Sequence, residues 1–330
     1  MIAQSPAERR DSSRMMVVNR SRRSISDGNF LDLPDLLTSD DILVLNNTKV
    51  FPARLNGKTD TGSNVEVFLV NDLGEDEWEV LARPGKRLSV GKKIDFDGEL
   101  TAISLGKLPD GLVLLKFLPV RDFFSIVEKI GRTPLPPYIK REGVQDEADR
   151  ARYQTVYASK RGAIAAPTAG LHFTPDVLER LRDKGVNIAS ITLHVGYGTF
   201  APVRVEDLTQ HSVLPERYEI DRQTSDLLNA AKAEGRRFVA VGTTTTRALE
   251  SSLRQHRRFV PGKHLADLTI TPGYEFRAID ALLTNFHLPR SSLLILTSTF
   301  GGLELIMDAY RHAVEEKYRF YSYGDCMLIV

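Results

Sequence analysis

Between residues 56 and 118 the chain carries no helix-length apolar pattern, and this stretch constrains the fold more than any other. Short segments of strand character follow one another, separated by turn formers at Gly62, Gly74, Pro84-Gly85, Asp97-Gly98 and Pro109-Asp110-Gly111. Asn64–Val70 and Trp78–Ala82 are two such segments; Lys93–Phe96 and Leu112–Phe117 are two more. About six strands at this spacing predict a small antiparallel β-barrel.

The flanks read differently. Asp41–Asn46 is a short apolar run bounded by turn formers, the pattern of a buried strand. Asn46–Lys49 is polar, and Val50–Leu55 resumes an extended path in which Pro52 keeps Phe51 out of a helix. A short helix is predicted over Asp122–Ile130, with Phe123, Ile126, Val127 and Ile130 on one face and Gly131 at its end. From residue 151 onward strand, loop and helix alternate. Gly162–Ala166 is short and apolar, Thr174 and Pro175 start a helix that Gly185 stops, and Asn187–His194 is a strand. Arg237–Val241 then runs into Gly242 and a helix, and a later helix carries Leu303, Ile306, Met307, Tyr310, Ala313 and Val314 on one face. Such alternation implies a sheet covered on both faces. The predicted fold is α/β in two domains. Residues 1–55 and 119–330 form a larger, discontinuous α/β sheet domain, and residues 56–118 form the small antiparallel β-barrel inserted into it. A chain of 330 residues has the length for two domains.

Composition removes several function classes. No apolar run approaches the roughly 18–20 residues that span a bilayer, and the N-terminal segment has no apolar signal-peptide core. Cys326, the single cysteine, excludes an intrachain disulfide framework and a thiolate zinc cluster. The expected location is the cytoplasm, with no membrane association. A net charge of +1 imposes no global field on a polyanion. Basic side chains are nevertheless grouped, at Arg9, Arg10, Arg14, Arg20, Arg22 and Arg23, at Lys140–Arg141, at Lys160–Arg161, and at Arg254, Arg257, Arg258 and Lys263. These permit a nucleic-acid partner without requiring one.

Five segments join glycine or proline to polar side chains beside an apolar strand, where α/β proteins usually bind ligands. They are Ala166–Thr174, His194–Phe200, Gly242–Arg247, Thr284–Arg290 and Ser322–Asp325. Three of the seven histidines, His172, His194 and His287, fall within them, and imidazoles in such positions suit proton transfer. No HExxH or similar ligand pair occurs, so no metal site is predicted. Gly242–Arg247 lacks the Gly-Lys-Ser/Thr of a Walker loop. Its backbone N–H groups and hydroxyls suit a carboxylate or phosphate, with Arg247 supplying charge. His194–Phe200 contains GxG but no third glycine, so it is not a dinucleotide fingerprint.

Taken together, the segments resemble the S-adenosylmethionine:tRNA ribosyltransferase-isomerase family of queuosine biosynthesis. The resemblance runs across nearly the whole chain. It begins at Ile2–Gln4 and Arg10–Arg14 and continues through Asn46–Leu55, Arg83–Arg87, Leu135–Ile139 and Arg152–Tyr157. It is densest in AAPTAGLHFT (165–174), LHVGYGTF (193–200), VGTTTTRALES (241–251), DALLTNFHLP (280–289) and YSYGDCMLI (321–329). The resemblance implies an α/β domain with an inserted barrel. It also implies that S-adenosylmethionine is a substrate, its ribosyl part passing to the aminomethyl group of 7-aminomethyl-7-deazaguanine (preQ1) in the tRNA anticodon loop. Epoxyqueuosine-tRNA remains, adenine and methionine leave, and no cofactor or metal is needed.

That chemistry asks for a base at the acidic C5′ protons, a proton donor for adenine and a neutral amine to attack C1′. His172, His194 and His287 are the candidates for these transfers, with Asp325 a further base. Thr243, Thr244, Thr245, Thr246 and Arg247 suit the methionine carboxylate. Tyr197 and Phe200 suit stacking on adenine or the deazaguanine, and Thr168, Gly170, Thr199 and Asn285 complete the candidate substrate-binding set. The chain is expected to act as a monomer. It departs from the family pattern at Asn47 and Lys49, where Asp and Arg are usual, and at Leu214, where the family commonly carries a histidine. Two other readings predict different products: a binding paralogue would release no adenine, and a methyltransferase would release S-adenosylhomocysteine.

Overall fold

A computed structural model describes residues 2–109, 111–141, 147–196 and 203–330, with Arg87 and Glu147 described by their backbone alone. The chain divides into two compact units. One comprises Met1–Lys49, Pro136–Glu142 and Ala151–Val330, the other Val50–Leu135 and Gly143–Arg150.

The first unit is built on a mixed sheet that shows nine strands among the described residues. From edge to edge these are Gly262–Ala266, Glu216–Ile220, Asn187–Leu193, Asp41–Asn46, Arg237–Val241, Ala281–Asn285, Cys326–Ile329, Arg14–Asn19 and Ser24–Asn29. The run from Asn187–Leu193 to Ala281–Asn285 is parallel. A central parallel strand is covered on both faces, which is why Asp41–Asn46 is buried at every position. Successive side chains then enter opposite cores: Ile42 and Val44 pack on one face of the sheet, Leu43 and Leu45 on the other. The edges are polar and largely exposed, as at Ser24–Asn29, which blunts pairing with another chain.

Two orientations decide where the chain ends go. Cys326–Ile329 runs antiparallel to Ala281–Asn285 with Asn285 opposite Cys326, so the turn before it arrives where the parallel strands end. Arg14–Asn19 runs parallel to Cys326–Ile329 with Met15 opposite Cys326, so Ser13 and Arg14 start at that same end.

The helix signals read from the sequence act as caps. Thr174 accepts from the backbone N–H of Val177 ahead of the helix Pro175–Asp183, and Gly185 takes a φ of 81° after it. Three local expectations are corrected. Gly242–Arg247 is not a loop, because the helix Thr243–His256 begins at once after Gly242, whose φ of 89° makes the turn. The apolar run 162–166 contributes only its first residues to a strand, Lys160–Ala163. The helix Leu303–Glu315 buries Leu305, Ile306, Ala309, Tyr310 and Ala313 and leaves Leu303, Met307 and Val314 exposed. Two overlapping stripes fit its spacing, and the one carrying the small Ala309 packs inward.

The second unit contains a closed antiparallel barrel in the order Val113–Phe117, Glu77–Arg83, Asn64–Gly74, Arg54–Thr59, Lys93–Phe96, Leu100–Lys107. A Cβ at Gly57 would lie 2.7 Å from the Asp95 carbonyl oxygen, so only glycine lets those two strands close. This unit is longer than the expected 56–118. Its first barrel strand starts at Arg54, and the helix Phe123–Ile130 belongs with it. Phe123 stacks on Trp78 at 5.5 Å and meets Phe117 edge-on at 4.9 Å.

Candidate active site

The carboxyl ends of three of the four parallel strands are tied by one buried amide. Asn46 Nδ2 donates to the Leu193 carbonyl (2.9 Å) and to Thr244 Oγ1 (3.3 Å). Its Oδ1 accepts from the backbone N–H of Leu193 (3.0 Å) and Thr48 (3.1 Å). This fixes the start of the helix Thr243–His256 against two neighbouring strand ends. Thr245 and Thr246 turn their hydroxyls back to the carbonyls of Val241 (2.7 Å) and Gly242 (3.2 Å). Thr243 and Thr244 face a cleft whose other walls include Tyr138, Pro167, Thr168, Asn285, His287, Tyr321 and Ser322. Five of the predicted site residues, Thr168, Thr243, Thr244, Asn285 and His287, therefore line one cleft.

His287 is buried, with Nε2 2.9 Å from Thr284 Oγ1 and its backbone N–H donating to the Tyr310 hydroxyl. Burial pushes its pKa down to about 3, so it is a neutral imidazole at pH 7. His172 is equally buried and lines a second, smaller cleft that meets the first at Ser322. Its ring lies 5.3 Å from that of Phe30, and its Nδ1 is 2.7 Å from Ser13 Oγ. Burial lowers its pKa to about 4 against a favourable interaction with Asn285. His194 lines neither cleft. Its Nδ1 is 2.8 Å from Thr48 Oγ1, and a Cβ at Gly162 would come within 2.6 Å of its ring. Burial lowers its pKa as well.

The remaining predicted residues hold the site in shape from behind. Asp325 accepts the backbone N–H of Arg14 on Oδ1 (3.0 Å) and of Arg319 on Oδ2 (2.8 Å), joining the two chain ends, while burial raises its pKa. Arg247 is not placed to meet a carboxylate in the cleft. Its guanidinium pairs with Glu216 and donates to the carbonyls of Ala266 (2.9 Å), Leu268 (3.2 Å) and Leu214 (3.3 Å). Gly170 leaves room for a side chain rather than a ligand, since a Cβ there would sit 2.1 Å from the Tyr157 hydroxyl. Tyr197, Thr199 and Phe200 lie outside the described residues. Of the departures noted above, Asn47 accepts from Thr192 Oγ1 (2.6 Å) and Leu214 is half exposed. Among the described residues no three His, Cys, Asp or Glu side chains converge as metal ligands.

The sequence reading missed Ser13, Asn46 and Tyr138. Tyr138 reaches the cleft through a 2.5 Å hydrogen bond to Ser322 Oγ, 184 residues away in the chain. All three sit in segments that carry the family resemblance, yet none has a local pattern of its own that marks a site.

A family model described as "Queuosine biosynthesis protein" matches residues 1–329. The chain belongs to this family. It is 48% identical over 330 residues to the S-adenosylmethionine:tRNA ribosyltransferase-isomerase of Trichlorobacter lovleyi, covering 100% of this chain and 96% of that protein. The protein of the same name from Moorella thermoacetica is 49% identical over 332 residues, with the same coverage. Among solved structures, the S-adenosylmethionine tRNA ribosyltransferase of Thermotoga maritima aligns with a TM-score of 0.56 and 37% identity, covering 100% of this chain and 96% of that one. Membership in the queuosine biosynthesis family agrees with the mixed sheet and closed barrel described above.

Proposed function

We propose that this chain transfers the ribosyl part of S-adenosylmethionine to the aminomethyl group of preQ1 in a tRNA anticodon loop and isomerises it, yielding epoxyqueuosine-tRNA, adenine and methionine. The observation that carries this reading is convergence. Segments around residues 168, 243, 285 and 322, remote in sequence, line one cleft at the strand ends, and each belongs to a stretch that carries the family likeness.

The lining supplies what the chemistry asks for. A sulfonium acidifies the C5′ protons, and a neutral imidazole can receive one of them. His287, positioned by Thr284, is the imidazole that lines this cleft and receives the proton in this reading. With Arg247 held by Glu216, the methionine carboxylate falls to the first turn of Thr243–His256, where Thr243 and Thr244 add hydroxyls to the free backbone N–H groups. An anticodon-loop nucleotide is splayed out at low cost, which lets the deazaguanine enter. The chain works as a cytoplasmic monomer and needs no cofactor or metal in this reading. Among the described residues no single helix is long and apolar enough to cross a membrane.

Incubation with S-adenosylmethionine and preQ1-containing tRNA, followed by identification of the small products, tests the proposal. Adenine and methionine in equal amounts are expected. Release of S-adenosylhomocysteine, or binding of both substrates without adenine release, would refute it.

A further inference from the structure

Two guanidiniums beside the cleft have no carboxylate partner among the described residues. Arg10 donates from Nη1 to the carbonyls of Arg152 (3.3 Å) and Leu171 (3.3 Å), and from Nη2 to that of Ala151 (2.7 Å). Arg152 donates back to the N-terminal segment, from Nη1 to the Glu8 carbonyl (2.8 Å) and from Nη2 to that of Ala7 (2.5 Å). Each of these acceptors is a neutral backbone carbonyl, which orients a guanidinium without cancelling its charge. Arg10 belongs to the N-terminal arginine group to which the ribosyl-transfer reading gives no role.

The two side chains line one small cleft with Pro6, Ser13, His172 and Tyr323, and this cleft meets the substrate cleft at Ser322. Among the described residues that line it there is no carboxylate. The nearby acids are already engaged. Asp325 accepts two backbone N–H groups, and Asp11 is held by Arg9 and Thr174. The two cations are close enough to repel, since burial, and after it the charge of Arg152, presses the Arg10 pKa down. Arg152 also keeps a buried Nε–H with no acceptor among the described residues.

A fixed pair of cations without a counter-charge calls for an anion. Arg10 gives three of its five N–H hydrogens to carbonyls and Arg152 gives two, so both forks keep donors to offer. S-adenosylmethionine has the wrong charge for this place. Its sulfonium and α-ammonium outweigh its one carboxylate, and no acid lines the cleft to receive them. A phosphodiester is negative throughout and meets a guanidinium fork with two oxygens. Single-stranded RNA has a phosphate on each side of every base, so a base in the substrate cleft brings one to its border, where a basic groove can follow the backbone.

We propose that Arg10 and Arg152 together bind the phosphodiester next to the modified nucleotide, seating the anticodon loop while its base occupies the substrate cleft. The pair sets RNA affinity and register and takes no part in proton transfer, as a phosphate contact positions a strand without reading its bases. This inference rests on the ribosyl-transfer reading and adds a subsite for the RNA backbone to it.

The test uses anticodon stem-loop RNA carrying the aminomethyl base, with one or the other flanking phosphodiester replaced by an uncharged methylphosphonate. Kd is measured without S-adenosylmethionine for wild type, Arg10→Gln and Arg152→Gln. In wild type one of the two replacements raises Kd about tenfold, the worth of a charge-assisted hydrogen bond. Each variant binds the all-phosphate RNA about tenfold more weakly, with a salt slope smaller by about 1, and the same replacement then costs it less than about twofold. Wild-type Kd values within about twofold for all three RNAs overturn the inference, as do folded variants in which the two losses multiply. Weaker S-adenosylmethionine binding with unchanged RNA affinity gives the pair to the amino-acid carboxylate and overturns it too. Should a variant not fold, 1H–15N correlation of the arginine Nε–H groups in wild type decides. The Arg152 resonance is expected to shift with all-phosphate RNA and to stay in place with the methylphosphonate that weakens binding; equal behaviour with both refutes the contact. Adenine release by wild type reports separately on the reaction, so a failed subsite is distinguishable from a failed function.

Discussion

Replacing Arg247 by alanine separates two roles for a residue that the sequence offers as an anion binder. Its guanidinium and the Glu216 carboxylate are 9% and 6% exposed, and no bulk water is at hand to take over from either. Glu216 also accepts the backbone N–H of Gly196 at 3.0 Å, and Arg247 supports three carbonyls. Removing one member of a buried pair typically costs about 3–5 kcal/mol. Larger domains lose roughly 2–4 °C of melting temperature per kcal/mol, so the expected fall is on the order of 6–20 °C. Arg247→Met with Glu216→Leu, which removes both charges and keeps apolar volume, should recover most of that loss. Thermal unfolding of the single and double variants gives the stability, and steady-state adenine release below the melting range gives KM for S-adenosylmethionine. A strut predicts a large fall in melting temperature with KM within about threefold of wild type, a change of some 0.65 kcal/mol or less. An unchanged melting temperature with a tenfold or greater rise in KM would refute the reasoning and return Arg247 to the substrate.

Three further outcomes follow from the same geometry. Asp325→Asn removes one of two acceptors for backbone N–H groups and should cost about 1–3 kcal/mol in urea unfolding while leaving the pH dependence of turnover unchanged; a lost limb in that profile would make Asp325 a base instead. Gly170→Ala drives a methyl into the Tyr157 hydroxyl and should destabilise by about 1–3 kcal/mol, a loss that Tyr157→Phe partly relieves; full stability of the single variant counts against the packing described. His172 and His287 titrate in the folded chain at about 4 and about 3, below the ordinary histidine value of 6.5. Their contribution to stability is therefore complete above 6.5 and is lost as pH falls toward those values, by up to about 1.4 kcal/mol per pH unit each. Unfolding of wild type and His287→Asn across pH 7.5 to 4.5 should show a shallower slope in the variant, and parallel slopes would refute the depressed pKa.

What the sequence revealed and what it hid divide along physical lines. Asp41–Asn46 was legible as a buried strand because a central parallel strand must be apolar on both faces, and Thr174-Pro175 was legible because capping is local chemistry. The barrel was legible from its turns. The helix Leu303–Glu315 was recognised as a helix but not by its buried face, since neighbouring stripes one residue apart satisfy the same period and only tertiary packing chooses between them. Arg247 was misjudged for a related reason. Its partner Glu216 lies 31 residues earlier, on a strand and not on the helix that carries Arg247, and pairing at that range leaves no trace in the local pattern.

The site itself depends on contacts longer still. Ser13 and His172 are 159 residues apart, Asp325 and Arg14 are 311 apart, and both contacts exist because the last strand enters the sheet antiparallel to its neighbour. Were Cys326–Ile329 parallel to Ala281–Asn285, the turn carrying Ser322 and Asp325 would lie at the opposite end of the strands, a strand length from the cleft. The same reversal carries the N-terminal segment with it, since Arg14–Asn19 pairs in parallel with that final strand. Ser13 has no local pattern that marks it as a site, and Asp325, read from the sequence as a base, accepts two backbone N–H groups instead. Direction of one strand is what brings Ser13 to within 2.7 Å of the buried His172 ring.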